Sequence, residues 1–403
     1  MVLRLAPIIA VVAAAAAHAD PTGVTFDEAL GLTDQLPVLV VAREVAAAER
    51  TIELPRPWQP LLVFATPQLR VAPRAARGLE GGVALQQYVP LGDINGARRD
   101  VLARQADERL ARAAATQLER RLEAAAAWIA AWSARERQLI TEREYELARA
   151  IADVTARGLA AGVYIAPELA DAQAFLAETD LRRTDVEGEV MHAGFTLARA
   201  MARTGSVRAN GALPTAPLPP LLTTEELRVR ARAMPAVAAT RLSARVARAR
   251  AAEEKATRAT QVIVGAEAFR DEPEALVTGL TVGLALPHDR GERAHREALL
   301  AARLADAEAA QRVARAVTEL EDALHEVEHT HEVLVKLRDQ LVPAAEDAAA
   351  RRKRAYELGE STIVELLSAQ RTALLARARL TDAEAKHAWA RITAWLLLEA
   401  TRP

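Results

Sequence analysis

The chain contains no cysteine in 403 residues. It therefore forms no disulfide and offers no thiol to carry a lipid anchor. Aromatic residues make up only 3% of the sequence, which is sparse for one large globular core, while Ala, Leu and Arg dominate and favour long helices. The net charge of -2 leaves no electrostatic footprint for nucleic acid. A Gly-rich phosphate loop is absent, and beyond the N-terminus no apolar run reaches the ~20 residues of a membrane-spanning helix. If the mature chain crosses a membrane, it does so as β-strands.

The N-terminal stretch MVLRLAPIIAVVAAAAAHAD carries one early charge, Arg4, then an apolar run, then Ala17-His18-Ala19. That is the pattern of a cleaved export signal over residues 1–19, with Asp20 as the first mature residue.

What the chain does have is an internal duplication at a spacing of about 197 residues. GVYIAPELADAQ from Gly162 lies over GESTIVELLSAQ from Gly359, and about 11 of 38 positions match without a gap, against about 4 by chance. The halves are residues 20–203 and 223–403, joined by a Pro- and Gly-rich linker at 204–222. Each half reads in the same order. A helix (27–54 and 224–258) precedes two short strands (about 60–72 and 81–91, then 260–269 and 277–287). A long helix follows (95–157 and 291–358, broken near Pro343), then a turn at Gly162 or Gly359 and a returning helix. LTVGLALP, from Leu280, alternates cleanly, as a strand with one apolar face does. The long helices predict shafts of roughly 90–100 Å. Val313, Val317, Leu320, Leu324, Val327, Leu334 and Leu341 form a coiled-coil seam, with His331 in the slot between Val327 and Leu334.

One motif points elsewhere. HEVEH, His325 to His329, satisfies the H-E-x-x-H pattern of zinc metallopeptidases. On a continuous rod the two His share a face, but His331 lies about 200° away from His329 and supplies no third ligand. His325 and His329 are the candidate metal ligands. A solvated polar face is the plainer reading.

The stretch YELGESTIVELLSAQ from Tyr356 resembles the signature of the TolC-like outer membrane efflux proteins, the outer membrane factors. The matching residues are Tyr356, Gly359, the acid Glu365 within IVEL, and Ala369-Gln370. The resemblance spans essentially the whole mature chain. It implies a mainly α fold with a small β part. Three chains, a homotrimer, each give four strands to one 12-stranded outer membrane β-barrel, and their helices line a tunnel across the periplasm. Four strands alone close no such barrel, which needs at least eight, so strands in lipid demand an oligomer. The implied function is that of a passive exit duct in a tripartite efflux or type I secretion system, with neither cofactor nor catalytic residue. Its implied partners are a periplasmic adaptor (membrane fusion) protein, an inner membrane pump of RND, ABC or MFS type, and outer membrane lipid.

The adaptor is expected to dock on the tips at Gly162 and Gly359. A periplasmic gate is expected from Glu168, Asp171 and Glu365, with Glu365 about two turns into the returning helix. Arg157 and Arg354 are their expected ionic partners, and Tyr356 stands beside them. The chain departs from the family at Ser368, where some members carry a second acid. Two rival readings remain: a soluble periplasmic coiled-coil scaffold or adaptor, and a zinc metallopeptidase. Metal ions, drugs and peptides all remain open as cargo.

Overall fold

A computed structural model describes residues 23–52, 61–70, 78–272, 275–285 and 291–402. The expected signal segment at 1–19, and the expected strand ends at 60, 71–72 and 286–287, lie outside these residues. The elements run β1 (Gly23–Val24), α1 (Phe26–Asp34), α2 (Pro37–Thr51), β2 (Leu62–Arg70), β3 (Gly78–Pro90), α3 (Ile94–Ala160) and α4 (Ala166–Ala200). They continue with β4 (Arg208–Ala209), α5 (Thr224–Ala233), α6 (Pro235–Thr257), β5 (Gln261–Glu272), β6 (Ala275–Ala285), α7 (Glu292–Lys336), α8 (Val342–Glu357) and α9 (Ile363–Glu399). The chain is mainly α with a small β part, as the sequence implies.

Proline sets the helix boundaries that hydrophobic periodicity misses. The expected single helices at 27–54 and 224–258 are each split in two. Leu36 and Met234 precede Pro37 and Pro235 and take extended ψ values of 130° and 136°. A residue before proline is pushed out of the α region by the ring, so α1 and α5 end there and a new helix starts on the proline. Pro343 acts more gently. A π-helical turn at Leu337–Leu341 precedes it and α8 resumes at Val342. The widened turn absorbs the missing N–H and the crowding of the ring against the preceding turn.

Two compact units result, and neither coincides with a sequence half. The first takes its described residues from 23–30, 124–214 and 336–385. Its N-terminal end is fixed by Trp128, fully buried, whose Nε1 donates to the Val24 carbonyl at 2.8 Å while Phe26 packs edge-on at 5.6 Å. β1 pairs in parallel with β4, so the linker at 204–222 contributes a strand of its own. The Arg135 guanidinium donates to the Ala209 carbonyl behind it at 3.3 Å.

The second unit takes its described residues from 31–123, 215–335 and 386–402. Leu227 of α5, Met234 at the break and Val237 of α6 are buried with Ala316 and Leu320 of α7 and with Leu397 and Leu398 of α9. Along α7 the buried positions step by seven, first Ala302, Ala309 and Ala316, then Leu320, Val327 and Leu334. This is a coiled-coil seam. Its slot between Val327 and Leu334 belongs to Thr330, which is buried, and not to His331, which is exposed. Thr330 continues the step of seven from Ala302, Ala309 and Ala316, and its hydroxyl finds partners there: the Glu326 carbonyl at 2.6 Å and His387 Nδ1 at 3.1 Å.

The same unit carries the four-stranded sheet, ordered β2-β3-β5-β6 and antiparallel throughout. β3 and β5, one from each half of the sequence, form the central pair. The outer edges of β2 and β6 have no partner strand among the described residues.

Candidate functional site

In the first unit, two helical hairpin tips are built alike. After α3, Gly162 adopts φ +74°. Gly162 N–H donates to the Leu159 carbonyl at 3.0 Å and Val163 N–H to the Gly158 carbonyl at 2.8 Å. After α8, Gly359 adopts φ +75°. Gly359 N–H donates to the Tyr356 carbonyl at 3.0 Å and Glu360 N–H to the Ala355 carbonyl at 2.8 Å. Both are Schellman caps, which satisfy the last carbonyls of a helix and require a left-handed residue. Nothing lies within 4 Å of a Cβ added at either glycine. Glycine stands there for its backbone freedom and not for space.

The returning helices start on acids that fold back over their own caps. Glu365 Oε2 accepts from Thr362 N–H at 3.0 Å and from the Ser361 hydroxyl at 2.8 Å, while Glu365 N–H donates to Thr362 Oγ1 at 3.2 Å. This is a full capping box. Hydrogen bonds from Ser361 and Thr362, with Arg352 nearby, hold the Glu365 carboxyl below the usual carboxylate range. Glu168 makes only the return half, accepting from Ile165 N–H at 3.0 Å, because Ile165 has no side-chain acceptor.

The cap moves Glu365 from its expected place. It is the third residue of α9, in the first turn, and not two turns in, because Thr362 captures the helix start. Its ionic partner is Arg352, 3.5 Å away. Arg354 lies two residues on, about 200° around α8. It is exposed, with no ion pair among the described residues. Arg157 donates to the Asp153 carbonyl at 3.3 Å, and Asp171 is exposed on α4.

What joins the two tips is a tyrosine pair. The Tyr164 and Tyr356 hydroxyls are 2.8 Å apart. Both rings pack on a cluster of Ile151, Ala152, Ala172, Ile363 and Leu366. The bond to Tyr356, then burial, then the nearby Glu168 push the Tyr164 phenol up to about 12. The Tyr164 ring lies directly on Gly158, where an added Cβ would sit 2.0 Å from its Cδ2. Tyr164, Gly158 and Arg352 are invisible to the sequence argument. Their counterparts 197 residues away are Ser361, Ala355 and Thr155, so the duplication gives no hint of them. The tips also carry exposed apolar side chains, Val163, Ile165 and Leu358.

In the second unit, the sheet has inverted sidedness. Val63, Val83, Leu85, Val264, Leu280, Val282 and Leu284 share one face by register, and all are exposed, Leu280 at 86% and Val282 at 77%. The opposite face mixes the half-buried Ile263, Phe269, Gln86, Tyr88, Gln261, Glu267 and Thr281 with three exposed apolar residues toward its edges, Leu62, Phe64 and Val277. In water the exposed face contributes nothing to folding. In hydrocarbon, the exposed part of these seven side chains is worth on the order of 10 kcal/mol per chain, comparable to the whole stability of a typical domain.

His325 and His329 stack on the exposed side of α7 with ring centroids 6.4 Å apart. His331 tilts against His387 at 5.4 Å instead of joining them. Among the described residues no group of three or more His, Cys, Asp or Glu is placed to hold a metal ion. Among the described residues, the first His pair thus has no third protein ligand of the kind a catalytic zinc takes.

No family model matches the chain, and no curated protein matches it in sequence. Solved structures do match. The CmeC outer membrane channel of Campylobacter jejuni aligns over 93% of this chain and 86% of its own, with TM-score 0.75 and 14% identity. The outer-membrane channel OprN aligns over 93% and 89%, with TM-score 0.72 and 18% identity. The outer membrane protein VceC of Vibrio cholerae aligns over 93% and 95%, with TM-score 0.70 and 15% identity. The chain thus has the fold of the TolC-like outer membrane channels, as its tip sequence implies.

Proposed function

We propose that the chain is an outer membrane exit duct. Three copies join their four-stranded sheets into one 12-stranded barrel, and their helices extend into the periplasm. The observation that carries this reading is the sheet, with its apolar side chains outward and both outer edges open among the described residues. Open edges are prohibitively costly in hydrocarbon, and a barrel closed by further copies removes them. The neighbours in fold are themselves outer membrane channels. Transport through such a duct is passive, and energy comes from an inner membrane pump reached through a periplasmic adaptor.

The tips suit the adaptor. Val163, Ile165 and Leu358 offer apolar contacts around glycine turns of fixed geometry. The Tyr164–Tyr356 bond is a weak link of ~0.5–1.5 kcal/mol, and the Arg352–Glu365 pair is exposed and screened by solvent. A partner that engages the tips can break them at little cost.

Fractionation and native mass measurement test the proposal. The chain should sediment with outer membrane, require detergent, and run at three times the mass of one chain. A monodisperse monomer, soluble without detergent, would point to a soluble scaffold instead.

A further inference from the structure

We infer that Glu267 gives the barrel lumen a preference for cations. The inference rests on the duct reading and adds to it the class of ion the lumen favours. Glu267 stands opposite Ala84 on β3 and Gly279 on β6, which puts it on the half-buried face with Gln86 and Thr281, away from the apolar one. It is the one charged residue among the described side chains of the sheet. Its carboxylate lies flat over Gly279, with Oε1 only 3.0 Å from where a Cβ would sit, so the charge is held against the wall. No basic side chain among the described residues pairs with it.

The position along the strand sets what this charge does. Glu267 is seven residues into β5, counted from the end that follows α6, or roughly 20 Å along the strand. That is mid-barrel, away from either mouth. Twelve strands spaced about 4.8 Å apart and tilted about 40° give a barrel radius of roughly 12 Å. Three symmetry-related carboxylates then stand on the order of 15 Å apart at one height, with low-dielectric wall behind them. Rings of acids of this kind draw cations and repel anions. The Debye length is about 10 Å at 0.1 M salt and about 3 Å at 1 M, so the ring commands the lumen only at low ionic strength.

The test is the potassium-to-chloride permeability ratio of the full chain in planar bilayers under a KCl gradient. Near 0.1 M, wild type and Glu267→Asp should prefer potassium, and Glu267→Gln should lower the ratio about twofold or more. The difference should vanish near 1 M. Thr281→Lys, which sets a positive charge on the same face, should lower the ratio as well and serves if the Gln variant does not insert. An unchanged ratio at low salt, in channels of normal conductance, overturns the inference and leaves the duct reading standing. Absence of any channel from wild type overturns the duct reading and this inference with it.

Discussion

Leu280→Arg separates a lipid-facing sheet from a solvent-facing one. Leu280 is the sixth of eleven residues in β6, at the middle of the strand, and it is 86% exposed. If that face meets water, the guanidinium stays hydrated and the substitution falls within about 0.5 kcal/mol of neutral. If the face meets hydrocarbon, Leu280 sits near the bilayer midplane, where arginine costs ~2–4 kcal/mol. Three copies per assembly raise this to roughly 6–12 kcal/mol per trimer. Thr281→Arg is the internal control. It is one residue on, on the opposite face, where a water-filled lumen tolerates the charge. Urea titrations of protein refolded into bilayers, followed by trimer recovery, measure both. Leu280→Arg should be strongly destabilised and Thr281→Arg close to wild type. If both are equally stable, the sheet does not face lipid and the sidedness argument fails.

At the tips, Gly162→Ala and Gly359→Ala each meet open space but a left-handed backbone, so each should lose ~1–2 kcal/mol of unfolding free energy, read from denaturant titration, without a steric clash. Thr362→Ala removes the side-chain half of the Glu365 cap and should cost ~1 kcal/mol, with no comparable loss of capping for Ile165→Ala, whose side chain has no acceptor. The Glu365 carboxyl titrates below its unfolded value, so its contribution is present above pH 4.5 and is lost as the pH falls lower. In Glu365→Gln this acid-limb loss should shrink. The Tyr164 phenol, raised from 10 to about 12, gives stability that is whole below pH 10 and disappears as the pH climbs to about 12. Alkaline unfolding curves should show that loss in wild type and not in Tyr164→Phe. In planar bilayers, Arg352→Ala should raise resting conductance and Arg354→Ala should not, while Glu168→Ala with Glu365→Ala should weaken block by divalent cations. Equal conductance in both arginine variants would show that the Arg352–Glu365 pair does not restrain the tips.

Much of this fold is written in local chemistry. The 197-residue spacing places Gly162 with Gly359 and Glu168 with Glu365; the structure gives the two glycines the same Schellman geometry, and both acids fold back to accept from their N-cap N–H, though only Glu365 completes a capping box. That follows because a helix C-terminus needs a left-handed residue and an N-terminus needs acceptors, whatever surrounds them. Alternation in LTVGLALP fixes a strand with one apolar face for an equally local reason. The helix boundaries that differ from hydrophobic periodicity have local causes too. The Leu-Pro and Met-Pro steps at 36–37 and 234–235 break two helices, and Thr362 draws the start of α9 to within two residues of Glu365.

Other features belong to tertiary structure alone. Between Val327 and Leu334 alone, Thr330 and His331 fit a three-four repeat equally well. The buried row of Ala302, Ala309 and Ala316, whose step of seven reaches Thr330, is fixed by packing, and there the Thr330 hydroxyl meets His387, 57 residues away. Nothing in a linear reading pairs Tyr164 with Tyr356, or prefers Arg352 to Arg354 as the partner of Glu365, because contact across a hairpin depends on how two helices are rotated about their own axes. Periodicity told that the strands have two unlike faces. Only the register of four strands showed that the apolar one is left open, since which side of a sheet is covered depends on where its neighbours pack.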